Sequence, residues 1–366
     1  MKKPKVALLP NHPSQIWVLR PVVDELSQEI EVLWVLRDKD VSVALAERLG
    51  LDFITVSKAK TGYVGNGGEL LINIFRCLGI TKRHGIDLWV TKYGCGNMAA
   101  LLAGKQSVSF NDDDVDNVPL IAWTSYPFAE RTLVPDFVRM GRFEKRAVRY
   151  PSCHELFYLH PNRFTPDPSI RRRLGLAPDE AYAVVRLSAL QAHHDVGMRG
   201  VGEELLRQLI RLVEGKVRLF ITSEKPLSGE FESLRCPLPP DEIHHALAFA
   251  EFLFGDSQTM TSEAAVLGTP AYRISDFVGK VTAIALLEQY GLSHGYLPDD
   301  AQKALEHLEH YLAQPNRKAQ YEERRRKMLS ERSDPVPLFA ATLRELLKLP
   351  FPERAVGEAR PAVRSG

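Results

Sequence analysis

The stretch FLFGDSQTMTSEAAVLGTPAYRI, residues 252–274, combines residue types and spacing suited to binding an anion. An apolar run stops at Gly255-Asp256, and Ser257, Gln258, Thr259, Met260 and Thr261 follow where a strand gives way to a helix. The first amide N–H groups of such a helix lack intrahelical acceptors, and with the helix dipole they suit a phosphate. Glu263, about one turn in, is placed to accept hydrogen bonds from sugar or ribose hydroxyls. The same residues also fit a capping arrangement, with Thr259 or Ser262 as the cap and Glu263 near the dipole. The pattern alone leaves both readings standing.

A second stretch, VVRLSALQAHHDVGMRG at 184–200, follows a strand-like run and holds Arg186, His193, His194 and Asp195. Adjacent histidines on an extended backbone point to opposite faces, which disfavours a shared metal. In a polar loop, one of them suits a general acid or base or a phosphate donor, with Asp195 orienting the ring or starting a turn. A third, PNHPSQIW at 10–17, puts His12 just after the first strand, facing a cleft if the first helix starts near Ser14. Other motifs fail. HELFYLH carries His154, Glu155 and His160 without the HExxH spacing of a zinc helix. NDDDVDN, with Asp112, Asp114 and Asp116, lacks the glycine and terminal glutamate of a calcium loop and reads as a solvated acidic turn. GYVGNGGE matches neither a dinucleotide fingerprint nor a Walker loop, which argues against an NAD enzyme or P-loop NTPase, and reads as a flexible loop.

Short apolar runs alternating with longer amphipathic segments position these residues, as in a parallel α/β sheet. KVALLP, IEVLWVL, DFITVS, DLWVTKY and SVSF are strands of a first series, with helices between them. AYAVVRLSA, KVRLFITS, EFLFG and PAYRI are strands of a second, with TSEAAVLG a short helix. Between the series lies a proline-rich stretch without periodicity, so the boundary is set at residue 163. The expected organisation is α/β, with two Rossmann-like doubly wound domains, 1–163 and 164–333. The amphipathic helix PLFAATLRELLKLP within 334–349 follows, then a tail at 350–366 without a core pattern, expected to be disordered.

Of 366 residues, 47 are basic and 46 acidic, so no global field recruits nucleic acid. The four cysteines form no CxxC pair and read as reduced thiols in a cytoplasmic protein. No run approaches the roughly 18 apolar residues of a membrane span, and peripheral attachment at the inner membrane face remains compatible.

The order HPSQIWVLRPVVDEL, YLHPNRFTPD, VVRLSALQAHHDVGMRG, SQTMTSEAAVLGTPA resembles an uncharacterised bacterial and archaeal family similar to GT-B glycosyltransferases and UDP-N-acetylglucosamine 2-epimerases, over roughly residues 5–348. The resemblance implies two domains facing a cleft, a C-terminal helix returning to the first, and an N-terminal acceptor side. It implies a nucleotide-diphosphate sugar such as a UDP sugar as substrate, with no further cofactor and no bound metal. Diphosphate would lie near Ser257, Gln258, Thr259, Met260 and Thr261. Base or phosphate contacts would fall around Arg186, Ser188, His193 and Asp195, with His12, His194 and Glu263 as catalytic candidates. The acceptor would be a glycan, a lipid-linked or a small molecule, as in cell-surface polysaccharide synthesis. The comparison with the epimerases divides. Glu263 stands in register with the second acid of their Ser-Gly-Gly stretch, whereas Gln258-Thr259 replace the glycines and Ser262 the first acid. AHHDVG keeps a histidine but not the arginines of their His-Arg-Arg-Glu-Asn run, so transfer is favoured, with 2-epimerisation or a non-catalytic binding role as alternatives.

Overall fold

A computed structural model describes residues 2–38, 42–58, 63–188, 199–223 and 226–351, without the side chains of residues 58 and 63–67. The chain forms two compact units. The first runs to Tyr158 and resumes from Ser333; the second spans Leu159–Arg332. Residues 352–366, read from sequence as a tail, lie outside the described residues.

The first unit alternates β1 (Lys5–Leu9), α1 (Pro13–Leu26), β2 (Glu31–Asp38), α2 (Ser42–Arg48), β3 (Phe53–Lys58), α3 (Tyr63–His84), β4 (Leu88–Thr91), α4 (Gly94–Leu102), β5 (Gln106–Phe110), α5 (Pro119–Ser125), β6 (Arg131–Pro135) and β7 (Ala147–Tyr150). Its seven strands are all parallel, in the order β3-β2-β1-β4-β5-β6-β7. Both faces are covered, so β1 and β4 are buried along nearly their whole length, with no polar alternation in VALL or LWV. Ala7 and Leu9 pack with Trp89 and with Cys77 and Ile80 of α3, and Trp89 donates its indole N–H to Thr81 at 2.9 Å. A one-turn α6 (Leu156–Leu159) follows β7.

The second unit contains α7 (Ile170–Arg173), β8 (Tyr182–Leu187), α8 (Glu203–Val213), β9 (Arg218–Ser223), α9 (Ile243–Phe249), β10 (Leu253–Gly255), α10 (Gln258–Leu267), β11 (Ala271–Ile274), α11 (Thr282–Gln289), β12 (Ser293–Tyr296), α12 (Ala301–Ala313) and α13 (Arg317–Glu331). Its five parallel strands run β12-β11-β10-β8-β9. The chain then re-enters the first unit as α14 (Val336–Leu347), which packs on α1. Arg344 of α14 forks onto Glu29 with a 2.6 Å contact, and Phe339 meets Phe110 and Phe157 edge-on.

Several elements differ from the sequence reading. Strands β6, β7 and β12 went unread, because runs of four or five residues carrying arginine, proline or histidine are too short to establish a period. GYVGNGGE is no loop from Tyr63 onward but the start of α3. Each helical glycine costs about 1 kcal/mol relative to alanine, and burial of Ile74, Cys77 and Ile80 further along offsets it. NDDDVDN is not simply a solvated turn: Asp114 is buried and accepts from the Arg139 backbone N–H and guanidinium at 2.7–2.9 Å.

Candidate functional site

In the second sheet the direction of chain winding reverses between β8 and β10. The carboxyl ends of strands at such a reversal are where doubly wound sheets collect ligands. Gly255 ends β10 in register with Arg186 on one side and Arg273 on the other. A Cβ at Gly255 would lie 2.3 Å from the Arg186 carbonyl oxygen, so the strands approach this closely only because the residue is glycine. Two residues on, Ser257 caps α10: its Oγ accepts from the Met260 N–H at 3.4 Å, and its carbonyl accepts from the Thr261 hydroxyl at 2.6 Å. The cap is therefore Ser257, not Thr259 or Ser262. From Met260 to Leu267 the helix is buried, so the side chains of Met260 and Thr261 turn inward. Ser257, Gln258 and Thr259 are half-buried at the strand mouth.

Asp256, to which the sequence reading gave no role, organises the neighbouring loop. Its carboxylate accepts from the Ser188 N–H at 2.7 Å and from the Val201 N–H at 3.4 Å. It thereby holds both ends of segment 189–198. His193, His194 and Asp195 belong to that segment and lie outside the described residues. A Cβ on Gly200 would sit 2.5 Å from Asp256 Oδ2, so the backbone at Gly200 lies directly against the carboxylate. Arg199 fastens the same loop from the other side, its backbone N–H on Asp276 at 2.8 Å and its guanidinium on Asp299 at 2.7 Å. Burial pushes the Asp256 carboxyl above its ordinary pKa, although the Ser188 and Val201 N–H groups favour the charged form.

Glu263 faces α9, where its carboxylate meets His244 Nε2 at 2.9 Å; both side chains are buried. His244 was missed because its partner lies one helix further along the chain. Thr222, Arg186, Gly255, Arg273 and Gly295 form one row across the sheet. Arg186 is half-buried and Arg273 only 1% exposed. Arg273 Nε and Nη1 have no hydrogen-bond partner among the described residues. Burial brings the Arg273 guanidinium down to about 10 against the opposing charge of Glu288, whose carboxyl burial in turn raises.

The first sheet reverses between β1 and β4. His12 follows β1 as the cap of α1, its Nδ1 accepting from the Ser14 N–H at 3.2 Å. Beside it, Arg37 binds Glu69 at 2.7 Å and Asn11, and its guanidinium lies over the Tyr93 ring at 4.7 Å. Asn73 and Ser57 complete that buried group. Past β4 and β5, Lys92 Nζ binds Asp112 at 2.7 Å and Asp113 at 3.0 Å, while His154 Nδ1 is 3.2 Å from the other Asp112 oxygen. Burial works against both charges. Even so, the two aspartates hold the Lys92 ammonium above its ordinary range, and His154 and Lys92 hold the Asp112 carboxyl well below its own. The sequence showed these groups as separate motifs; the adjacency of β4 and β5 brings Lys92 to the aspartates, and the chain after β7 brings His154.

No protein-family model matches the chain, and no curated protein sequence matches it. Solved structures share its fold. A UDP co-structure of MnaA from S. aureus is similar with a TM-score of 0.67 at 12% identity, over 94% of this chain and 97% of that one. The UDP-GlcNAc 2-epimerase of Neisseria meningitidis bound to UDP-GlcNAc gives 0.61 at 11% identity, over 94% and 99%. Spinosyn forosaminyltransferase SpnP gives 0.61 at 16% identity, over 93% and 100%. Two parallel α/β sheets with a C-terminal helix returning to α1 thus form a GT-B-like fold. That fold is shared with glycosyltransferases and UDP-GlcNAc 2-epimerases.

Proposed function

We propose that this protein is an enzyme that takes a nucleotide-diphosphate sugar and transfers the sugar to an acceptor hydroxyl. The observation that carries the reading is the Ser257-capped start of the ten-residue α10 at the winding reversal between β8 and β10. Its amides and dipole would neutralise the diphosphate as the sugar leaves, with Arg186 on the adjoining strand adding positive charge. Ser257, Gln258 and Thr259 would contact the phosphates through backbone and side chain, Met260 and Thr261 through backbone alone. Ser188 would contribute at the mouth of β8, and His193 and Asp195 would line the base or phosphate side. Glu263, held by His244, would receive ribose or sugar hydroxyls. His194 and His12 are the candidate bases for the acceptor, which would be a glycan, a lipid-linked or a small molecule.

Transfer is preferred to 2-epimerisation for a stated reason. Ser262 stands where the epimerase stretch has its first acid, and AHHDVG lacks the arginines of the epimerase His-Arg-Arg-Glu-Asn run, so charged groups that support elimination are missing from this sequence. Calorimetry of the folded protein with UDP, GDP, CDP and dTDP tests the binding step: one is expected to bind below millimolar, and Glu263→Ala to weaken it. Absence of binding by all four at millimolar concentration would overturn the proposal. Incubation with UDP-N-acetylglucosamine in deuterated water separates the reactions, since exchange at C2 supports epimerisation.

A further inference from the structure

The row at the carboxyl ends of β8, β10 and β11 sets two arginines on either side of a glycine: Arg186, Gly255, Arg273. Registered residues of parallel strands share a face, and helices cover this one. Thr222 in the same row reaches Met260 Sδ of α10 at 3.9 Å, and a Cβ on Gly295 would meet Glu288 Oε1 of α11 at 2.6 Å. Arg273 lies between them, buried, yet its Nε and Nη1 find no hydrogen-bond partner among the described residues. Glu288 supplies the opposing charge, but its buried Oε1 also lacks a partner there. With the guanidinium at about 10, the charge persists at neutral pH. A buried charge with unfilled donors destabilises a fold, and a ligand that fills them accounts for its retention.

We propose that Arg273 is a specificity-determining residue of the site at the start of α10, selecting a ligand with two adjacent phosphoryl groups over one with a single group. Arg186 and Arg273 stand two strand spacings apart, about 10 Å, and Gly255 places no side chain between them. An anion over Gly255 would meet a guanidinium from each side, with α10 starting three residues further along the chain. Turning the Arg273 side chain toward Gly255 breaks no hydrogen bond at Nε or Nη1. A single phosphate satisfies one guanidinium; a diphosphate offers each its own phosphoryl group. Inorganic pyrophosphate and the diphosphate of a nucleotide share this chemistry, and the test separates them. The inference rests on the nucleotide reading for where the anion lies, and it adds the residue that counts the phosphates.

Calorimetry of the full-length protein with inorganic phosphate and inorganic pyrophosphate, at matched ionic strength, is the test. The parent is expected to bind pyrophosphate about tenfold or more tighter than phosphate. Arg273→Met with Glu288→Leu removes the cation and its opposing acid together, and should abolish that difference without lowering the unfolding temperature. Arg273→Lys, which keeps the charge, should retain part of it. A merely structural Arg273 would instead lower the unfolding temperature and leave the ratio of the two affinities alone. Circular dichroism confirms that each variant folds. Two results overturn the proposal: no preference for pyrophosphate in the parent, or a preference that survives Arg273→Met with Glu288→Leu. UDP, GDP, CDP and dTDP separate it from the nucleotide reading. If one of them binds the parent and the double variant equally, the nucleotide reading stands and the role of Arg273 falls. If pyrophosphate selectivity depends on Arg273 while none of the four binds, the role of Arg273 stands and the nucleotide reading falls.

Discussion

Asp256 and Gly200 provide a test of the loop clamp at the proposed diphosphate site. The 2.7 Å bond from the Ser188 N–H to a buried carboxylate is the main stabilising contact; the 3.4 Å contact with Val201 adds little. Losing a hydrogen bond to a charged group costs about 1.5–3 kcal/mol, and a glycine in its place adds about 0.5–1 kcal/mol of backbone entropy. Asp256→Gly should therefore cost roughly 2–4 kcal/mol. Gly200→Ala alone should cost about 1–3 kcal/mol, because its methyl would lie 2.5 Å from Asp256 Oδ2 and 2.8 Å from Asp256 Cβ, both held in place. In the Asp256→Gly background those atoms are gone. The same alanine should then be close to neutral, leaving a favourable coupling of about 1–3 kcal/mol between the two sites. Denaturant unfolding of the four proteins, with unchanged m-values, measures it. Effects that add to within about 0.5 kcal/mol would refute the clamp geometry. If the nucleotide reading is right, Asp256→Gly should also weaken nucleoside diphosphate binding about tenfold, equivalent to about 1.4 kcal/mol, by misplacing His193 and His194.

Three further outcomes are expected. Burial, with His307 and Arg324 nearby, brings His294 from 6.5 to about 3. The unfolded chain therefore binds the proton first, and the residue's contribution is present above pH 6.5 and lost as pH falls toward 3. Between pH 7 and pH 5 about 2 kcal/mol should go, and His294→Gln, which can still reach the Tyr321 hydroxyl, should flatten that slope; parallel denaturation curves would contradict it. Lys92→Met should cost about 3–5 kcal/mol by leaving Asp112 and Asp113 facing one another, read as a lowered denaturation midpoint, with part of the loss recovered by adding Asp113→Asn. Arg273→Met alone should destabilise by removing the positive charge that offsets half-buried Glu288, whereas Arg273→Met with Glu288→Leu should equal or exceed the parent in thermal unfolding, since a buried cation with unfilled donors contributes little net stability.

What the sequence disclosed and what it concealed follow from how a doubly wound sheet is built. The alternation of apolar runs with amphipathic segments is a local property, so most strands, α10 and the returning α14 were legible. The cap of α10 was not, because several hydroxyl residues follow one another. Which one caps depends on where β10 ends, and the contact of Gly255 with the Arg186 backbone sets that point. The polar clusters were concealed for a related reason. Arg37, Ser57, Glu69 and Asn73 come from two strands and a helix, and Lys92, Asp112 and His154 from three separate loops. HELFYLH and NDDDVDN were weighed singly as metal motifs, although their shared chemistry is an ion network with a lysine from neither. Strand order determines which loops meet, and strand order is a long-range property that no local window contains. The consequence for Asp256 is direct. Its neighbours Gly255 and Ser257 mark a strand-to-helix junction in any parallel sheet, but only the placement of β8 beside β10 gives its carboxylate the Ser188 and Val201 amides. That adjacency ties the backbone at Ser188 and Val201 to the residue just before α10.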